Sequence, residues 1–344
     1  MAEWKGANGT SEDPKSAFSD PPVRSRKNRI LGGLGLPVRG TQTGVMAVQS
    51  FSRIRVSSRS IRRVHDPFSR LQTMPLIRAN GINTYYEEAG SGEPLVLLHN
   101  DAMSLEVWRR LRPHLQQDHR LIAYDRRGHG KSETPPREAR YTVEGLAEDL
   151  RALLDGLEIG QVDLFGCSGG ANTALGFALA YPERAQRLIL VEPPILGFRQ
   201  DHAIDTAGLS GDTIARILQD QGVEAALEYW FQCVLPPPKV SALLRSRHRP
   251  LLLSRSPWII EGIIRAAEAF NPTTRLKDVR QPVLLILGEK THRHFSSVVD
   301  VLETRLPRAE RLTLPGADHA TLLEPSDILL SAVRGFLAGK GPIP

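Results

Sequence analysis

Residues 161–175 read QVDLFGCSGGANTAL. Residues 161–165 have the composition of a short buried strand, and residues 171–180 have that of a helix. Between them lies Gly166-Cys167-Ser168-Gly169-Gly170, a G-x-S-x-G motif. In a chain with 29 glycines this motif alone is weak, and its meaning comes from its place between strand and helix. A serine at the apex of such a turn holds its hydroxyl clear of the sheet, at the cost of a strained backbone. Side chains at positions 166 and 170 would collide where strand and helix approach, which accounts for the glycines there. The helix that follows points its positive end at the site, where a developing oxyanion would be favoured. Ser168 is therefore the candidate nucleophile.

The same alternation extends in both directions. Residues 75–79 and 82–87 read as two strands joined by Asn80-Gly81, a hairpin signal. Residues 94–99 (PLVLLH) and 120–125 (RLIAYD) read as strands, with a helix expected at 105–115 between them and another at 143–157. Residues 187–191 (RLILV), 282–288 (PVLLILG) and 310–314 (ERLTL) complete the strands, and 328–337 reads as a closing helix. The expected fold class is α/β, a mostly parallel sheet with helices on both faces. Residues 196–281 break the pattern with helices near 213–219, 223–233 and 258–270, interrupted by Pro236-Pro237-Pro238. They read as a helical cap inserted between two strands. The expected organisation is 74–195 and 282–344 as one core, with 196–281 as the cap.

Residues 1–73 stand apart. They hold 13 Lys and Arg against 5 Asp and Glu, while the remainder holds 31 against 33. The basic character thus belongs to this segment, which reads as a disordered or over-extended N-terminal stretch. The body carries no basic face interleaved with aromatics, so nucleic-acid binding is not expected. No apolar run approaches the ~18 residues of a membrane span. Cys167 and Cys233, without CxxC spacing, do not make a disulfide framework, and a cytoplasmic location is the default expectation.

From residue 74 onward the chain resembles the α/β-hydrolase family, in the group of serine-nucleophile esterases, lactonases and perhydrolases. The resemblance is carried by SGEPLVLLHN (91–100), LIAYDRRGHGKS (121–132), LFGCSGG (164–170) and LPGADHATLLEP (314–325), among other stretches spread over the body. It implies no cofactor and no metal, and a small-molecule substrate. It leaves the oligomeric state open.

The resemblance also implies roles for particular residues. The base is expected in the loop after the last strand, which makes His319 the general base that accepts the serine proton. His292 and His294 flank Arg293 in what reads as a loop, and a solvated surface role is expected for both. His129 is expected to shape a turn, and His99 to be a satisfied structural histidine. The acid of similar hydrolases follows the penultimate strand as G-x-x-D, but here that stretch is Gly288-Glu289-Lys290-Thr291, and Thr291 cannot carry the charge. Glu192, directly after RLILV, is the expected replacement, as some relatives place the acid there. Glu289, or no acid at all, is the alternative.

The oxyanion hole is expected from the N–H groups of Gly169 and Asp101. Asn100 stands where the family commonly has glycine, a position where asparagine's tolerance of a left-handed backbone would help. The Asp101 carboxylate would oppose an oxyanion unless it points away or is neutralised. The cap, with Trp230, Phe231, Trp258 and Phe270, is expected to supply apolar pocket walls, most of those aromatics being simply core.

The function expected is hydrolysis of a small carboxylic ester or lactone through an acyl-enzyme. Perhydrolysis by the same triad is a second reading. A low-turnover ligand-binding receptor or scaffold is a third, motivated by the vacated acid position and the His99-Asn100 loop.

Overall fold

Alternation of side chains along the strands accounts for a sheet covered on both sides. The computed structural model of the chain describes residues 75–206 and 208–339, all within a unit that spans Pro67–Pro344. The reading of 1–73 falls outside the described residues. The strands are β1 (Leu76–Ala79), β2 (Ile82–Ala89), β3 (Glu93–Leu98), β4 (His119–Tyr124), β5 (Val162–Cys167), β6 (Ala185–Val191), β7 (Val283–Gly288) and β8 (Ala309–Leu314). They form one sheet in the order β1-β2-β4-β3-β5-β6-β7-β8. β2 is antiparallel to both its neighbours, and all other pairings are parallel. In the β1–β2 hairpin Asn80 and Gly81 both have positive φ, 45° and 81°, as a two-residue type I′ turn requires.

Val96, Leu98, Ile122, Leu164, Leu188 and Leu285 face one core, while Leu95, Leu97, Leu121, Phe165, Ile189 and Ile286 face the other. On the first face pack α2 (Val143–Gly156), α3 (Gly169–Ala180) and α9 (Arg293–Arg305). On the second pack residues 105–115 and α10 (Asp327–Leu337). Each such fully buried aliphatic or aromatic side chain contributes about 1.5–3 kcal/mol relative to exposure. α2 and α10 begin on side-chain caps, Thr142 Oγ1 accepting from Gly145 N–H at 3.0 Å and Ser326 Oγ from Leu329 N–H at 3.2 Å.

Between β6 and β7 lie α4 (Gly211–Asp220), α5 (Val223–Gln232), α6 (Pro237–Leu244), α7 (Arg249–Leu253) and α8 (Pro257–Ala269). The helical insertion read from 196–281 is therefore present. The proline triplet starts a helix as well as interrupting one. Pro236 caps α6 and Pro237-Pro238 occupy its first turn, where a missing N–H costs nothing.

Two elements differ from expectation. Residues 105–115 are not one helix. A 3-10 helix, Leu105–Arg110, gives way at Leu111 to the short α1 (Arg112–Leu115), because Pro113 is accommodated only in a first helical turn. α9 was not expected at all. It places His294, Phe295, Val298, Val299 and Leu302 on its buried face. The loop and surface reading is thereby corrected for His294, which lies in α9 and is buried, while His292 stays outside the helix as its N-cap, its ring accepting from His294 N–H.

Candidate active site

β5 ends at Cys167, and α3 begins at Gly169, so only Ser168 separates strand from helix. Its backbone sits at φ 53°, ψ −125°, strained for an L residue, and its N–H donates to Val191 O at 2.8 Å. The flanking glycines are obligatory. A Cβ on Gly166 would lie 2.5 Å from Gly170 O, and one on Gly170 would lie 2.2 Å from Leu98 O. Burial, with Glu192 and Asp101 adding, pushes the Cys167 thiol up, so this neighbour is not a competing nucleophile at neutral pH.

Glu192 follows β6 and is fully buried, with φ 44°. Its two oxygens are both engaged. Oε1 accepts from Gly288 N–H at 2.9 Å, and Oε2 lies 2.5 Å from His319 Nδ1. His319 lies between β8 and α10, and its ring stacks on Phe295 of α9 with centroids 4.2 Å apart and planes at 10°. The carboxylate fixes one edge of the imidazole and the phenyl ring fixes its plane. Lys239 of α6 pairs with Asp318, tying the histidine loop to the inserted helices. Glu289 is turned elsewhere, accepting from Gly316 N–H at 2.6 Å. Thr291 Oγ1 is buried without a hydrogen-bond partner among the described residues.

The loop after β3 is built differently from the expectation at Asn100. Asn100 is not among the positive-φ residues. Its Oδ1 instead accepts from Met103 N–H at 2.9 Å, closing an Asx-type turn. Asparagine serves here through its side chain, not through left-handed tolerance.

Asp101 and Gly169 are brought together, since a Cβ on Gly169 would fall 2.0 Å from the Asp101 carboxylate. That carboxylate is neutralised, with Arg126 Nη2 donating to Oδ1 at 2.7 Å in a buried pair. Burial opposes the Arg126 charge, but Tyr141 and Asp101 raise its pKa on balance. Arg255, between α7 and α8, donates to Asp101 O at 2.8 Å and Ala102 O at 3.0 Å, and burial lowers it to about 10. Nothing in the sequence motifs marks Arg126 or Arg255. Their partners are 25 and 154 residues away.

His99 is the satisfied structural histidine expected. Nδ1 donates to Asn100 O at 2.7 Å, and Nε2 accepts from Arg126 N–H at 2.9 Å. His129 lies in the turn closed by its N–H to Arg126 O and by Ser132 N–H to His129 O. Burial holds both rings well below the usual imidazole range.

Ser168, its neighbour Cys167, His319, Asn100 and Asp101 border a cavity of about 340 Å³. Trp230 and Phe231 of α5 line it as expected. Trp258 and Phe270 do not; Phe270 is buried in the first core and Trp258 packs against it. His294 lines the cavity as well, a residue that the loop reading missed. The spacing of Phe295, Val298, Val299 and Leu302 was the available signal for its helix. Among the described residues no cluster of His, Cys, Asp and Glu is arranged to hold a metal ion, and no helix is long and apolar enough to cross a membrane.

A family model for the alpha/beta hydrolase fold matches residues 93–209. Over those residues the chain is similar to the α/β-hydrolase family. It is 29% identical over 260 residues to a putative 2-succinyl-6-hydroxy-2,4-cyclohexadiene-1-carboxylate synthase of Bacillus subtilis, covering 73% of this chain and 92% of that one. It is 29% identical over 212 residues to a 2-hydroxy-6-oxo-2,4-heptadienoate hydrolase of Pseudomonas putida, covering 52% and 76%. The enol-lactonase from Burkholderia xenovorans shares the fold with a TM-score of 0.64 at 21% identity, covering 77% of this chain and 100% of that one.

Proposed function

We propose that the protein hydrolyses a small carboxylic ester or lactone, with Ser168 as nucleophile, His319 as general base and Glu192 as the acid of the triad. The observation that carries this reading is the 2.5 Å contact between Glu192 Oε2 and His319 Nδ1, beside an elbow that presents Ser168 to the same cavity. Hydrolase chemistry is the activity that the related proteins support.

In this mechanism Nδ1–H of His319 donates to Glu192, which leaves Nε2 to accept the Ser168 proton as Oγ attacks the carbonyl. Glu192 holds the ring in that tautomer and stabilises the imidazolium that forms. The N–H groups of Gly169 and Asp101 receive the oxyanion, with the positive end of α3 behind Gly169. Pairing with Arg126 removes the charge objection to Asp101. His319 then protonates the leaving alcohol, and water, activated by the same imidazole, releases the acid. Residues 196–281 serve as the cap, closing the cavity with Trp230 and Phe231.

The receptor reading drew on the missing acid, and Glu192 weakens that ground. The test is labelling with a fluorophosphonate, followed by turnover of short p-nitrophenyl esters. Labelling at Ser168 with turnover is expected. Labelling without turnover would favour the receptor reading, and absence of both would overturn the assignment of Ser168. Peracid formation in the presence of peroxide, compared with ester cleavage, distinguishes perhydrolysis.

A further inference from the structure

His294 occupies the second position of α9, is 4% exposed, and lines the cavity that holds Ser168 and His319. Neither of its ring nitrogens has a hydrogen-bond partner among the described residues. The Phe295 ring meets it edge-on with centroids 5.3 Å apart. A buried polar group without a partner is costly and rare in folded proteins, and one that borders a binding cavity is satisfied when a ligand arrives. Its charge state is fixed by its surroundings. Burial holds the imidazole down at about 4, His292 and His319 add to the depression, and Asp205 acts weakly against it. At neutral pH it offers one N–H donor and one nitrogen lone pair, and no positive charge.

The rest of the wall agrees with a neutral ligand. Leu209, Trp230, Phe231, Ile263 and Ile264 are apolar. Arg110 at the cavity is paired with Glu324. Arg126 and Arg255 are turned onto Asp101 and the carbonyls of the loop after β3. Among the described lining residues Arg110 is the sole Lys or Arg, and it already shares its charge with Glu324.

We infer that His294 is a specificity-determining residue that hydrogen-bonds a neutral oxygen of the substrate, a hydroxyl or a ketone, remote from the bond that is cleaved. The substrate class is thereby narrowed to uncharged, oxygenated esters or lactones. This inference rests on the reading of Ser168, His319 and Glu192 as the reacting centre.

The test uses p-nitrophenyl esters of straight-chain acids bearing a hydroxyl or keto group at successive positions, each paired with its plain alkyl counterpart and with a terminal carboxylate analogue. The full chain is expected to prefer at least one oxygenated ester over its plain partner by about tenfold in kcat/KM. His294→Phe, which keeps a ring but no polar atom, is expected to collapse that ratio to about one, chiefly through KM. His294→Gln, which keeps a donor and an acceptor, is expected to retain part of it. The inference is overturned if the parent protein shows no such preference, if His294→Phe keeps it, or if the carboxylate analogue is the best substrate. Should none of the esters turn over, the same ratio is read as equilibrium binding in Ser168→Ala protein with and without His294→Phe. A preference lost in the double variant then supports His294 and overturns only the hydrolytic reading, whereas equal affinities overturn the role of His294.

Discussion

Ser168 and Glu192 stand at equivalent positions on neighbouring parallel strands. Each is one residue beyond the Cys167–Val191 pair that closes the β5–β6 register, and each has a left-handed φ, 53° and 44°. Two strained residues side by side at the carboxyl edge of a sheet mark a functional site more strongly than either alone. The sheet holds them so through Ser168 N–H to Val191 O and Glu192 N–H to Ile286 O, at 2.8 and 3.1 Å.

The first prediction concerns the acid. Glu192→Gln retains an oxygen for Gly288 N–H but loses the charge beside His319. Turnover is expected to fall by a factor of about 10³–10⁴ with little change in folding. Glu289→Gln is expected to stay within about twofold of the parent, because Glu289 is committed to Gly316. Steady-state kinetics with circular dichroism on both variants checks the pair. Near-normal turnover in Glu192→Gln would remove Glu192 from the triad.

Asp101 is expected to act on stability as well as on the oxyanion loop. Removing it strands the Arg126 guanidinium, whose Nε and Nη1 already have no partner among the described residues. Asp101→Ala is expected to cost about 3–5 kcal/mol of folding free energy. Asp101→Asn, which still offers Arg126 an acceptor, is expected to cost less. Urea denaturation of the two variants measures the difference, and equal losses would mean that the ion pair is not what Asp101 supplies.

The buried histidines predict an acid-sensitive fold. His294 at about 4 lies below its ordinary 6.5, so the unfolded chain takes up a proton first as pH falls. Its contribution is therefore complete above about pH 6.5 and is lost as pH drops toward 4. Between pH 7 and pH 5 that amounts to ~2 kcal/mol from this residue. His99 and His129 act in the same direction. His294→Phe is expected to flatten the pH dependence of denaturation midpoints across that window, and an unchanged slope would contradict the burial argument.

Gly170→Ala tests the close approach at the elbow. The added methyl would press on the Leu98 and His99 carbonyls, which are backbone and cannot swing aside. A loss of about 3 kcal/mol or failure to fold is expected, read as the thermal midpoint and soluble yield. Gly160→Ala, where nothing lies within 4 Å of the added Cβ, is the control and is expected to be nearly neutral.

The sequence by itself determined the sheet and the elbow, and it put Ser168 and His319 forward as candidate nucleophile and base. Those features are written in local pattern: apolar runs flanked by turn residues, glycines at a tight corner, a histidine after the last strand. The alternation that sends Leu95 and Leu97 to one core and Val96 and Leu98 to the other is a property of consecutive residues. Glu192 was legible as a candidate, but its standing against Glu289 turned on which carboxylate reaches Nδ1 of His319, a relation between residues 127 positions apart.

Tertiary structure alone decided how Asp101 is neutralised, why Asn100 suits its loop, and where His294 points. Arg126 meets Asp101 because β3 and β4 run parallel in adjacent positions, and Arg255 arrives from the inserted helices. Phe295 is set against His319 by the packing of α9, a helix hidden in the sequence behind two histidines that look like surface residues. Charge, burial and ring orientation depend on what surrounds a side chain, and distant segments supply those surroundings only once the sheet has brought them together.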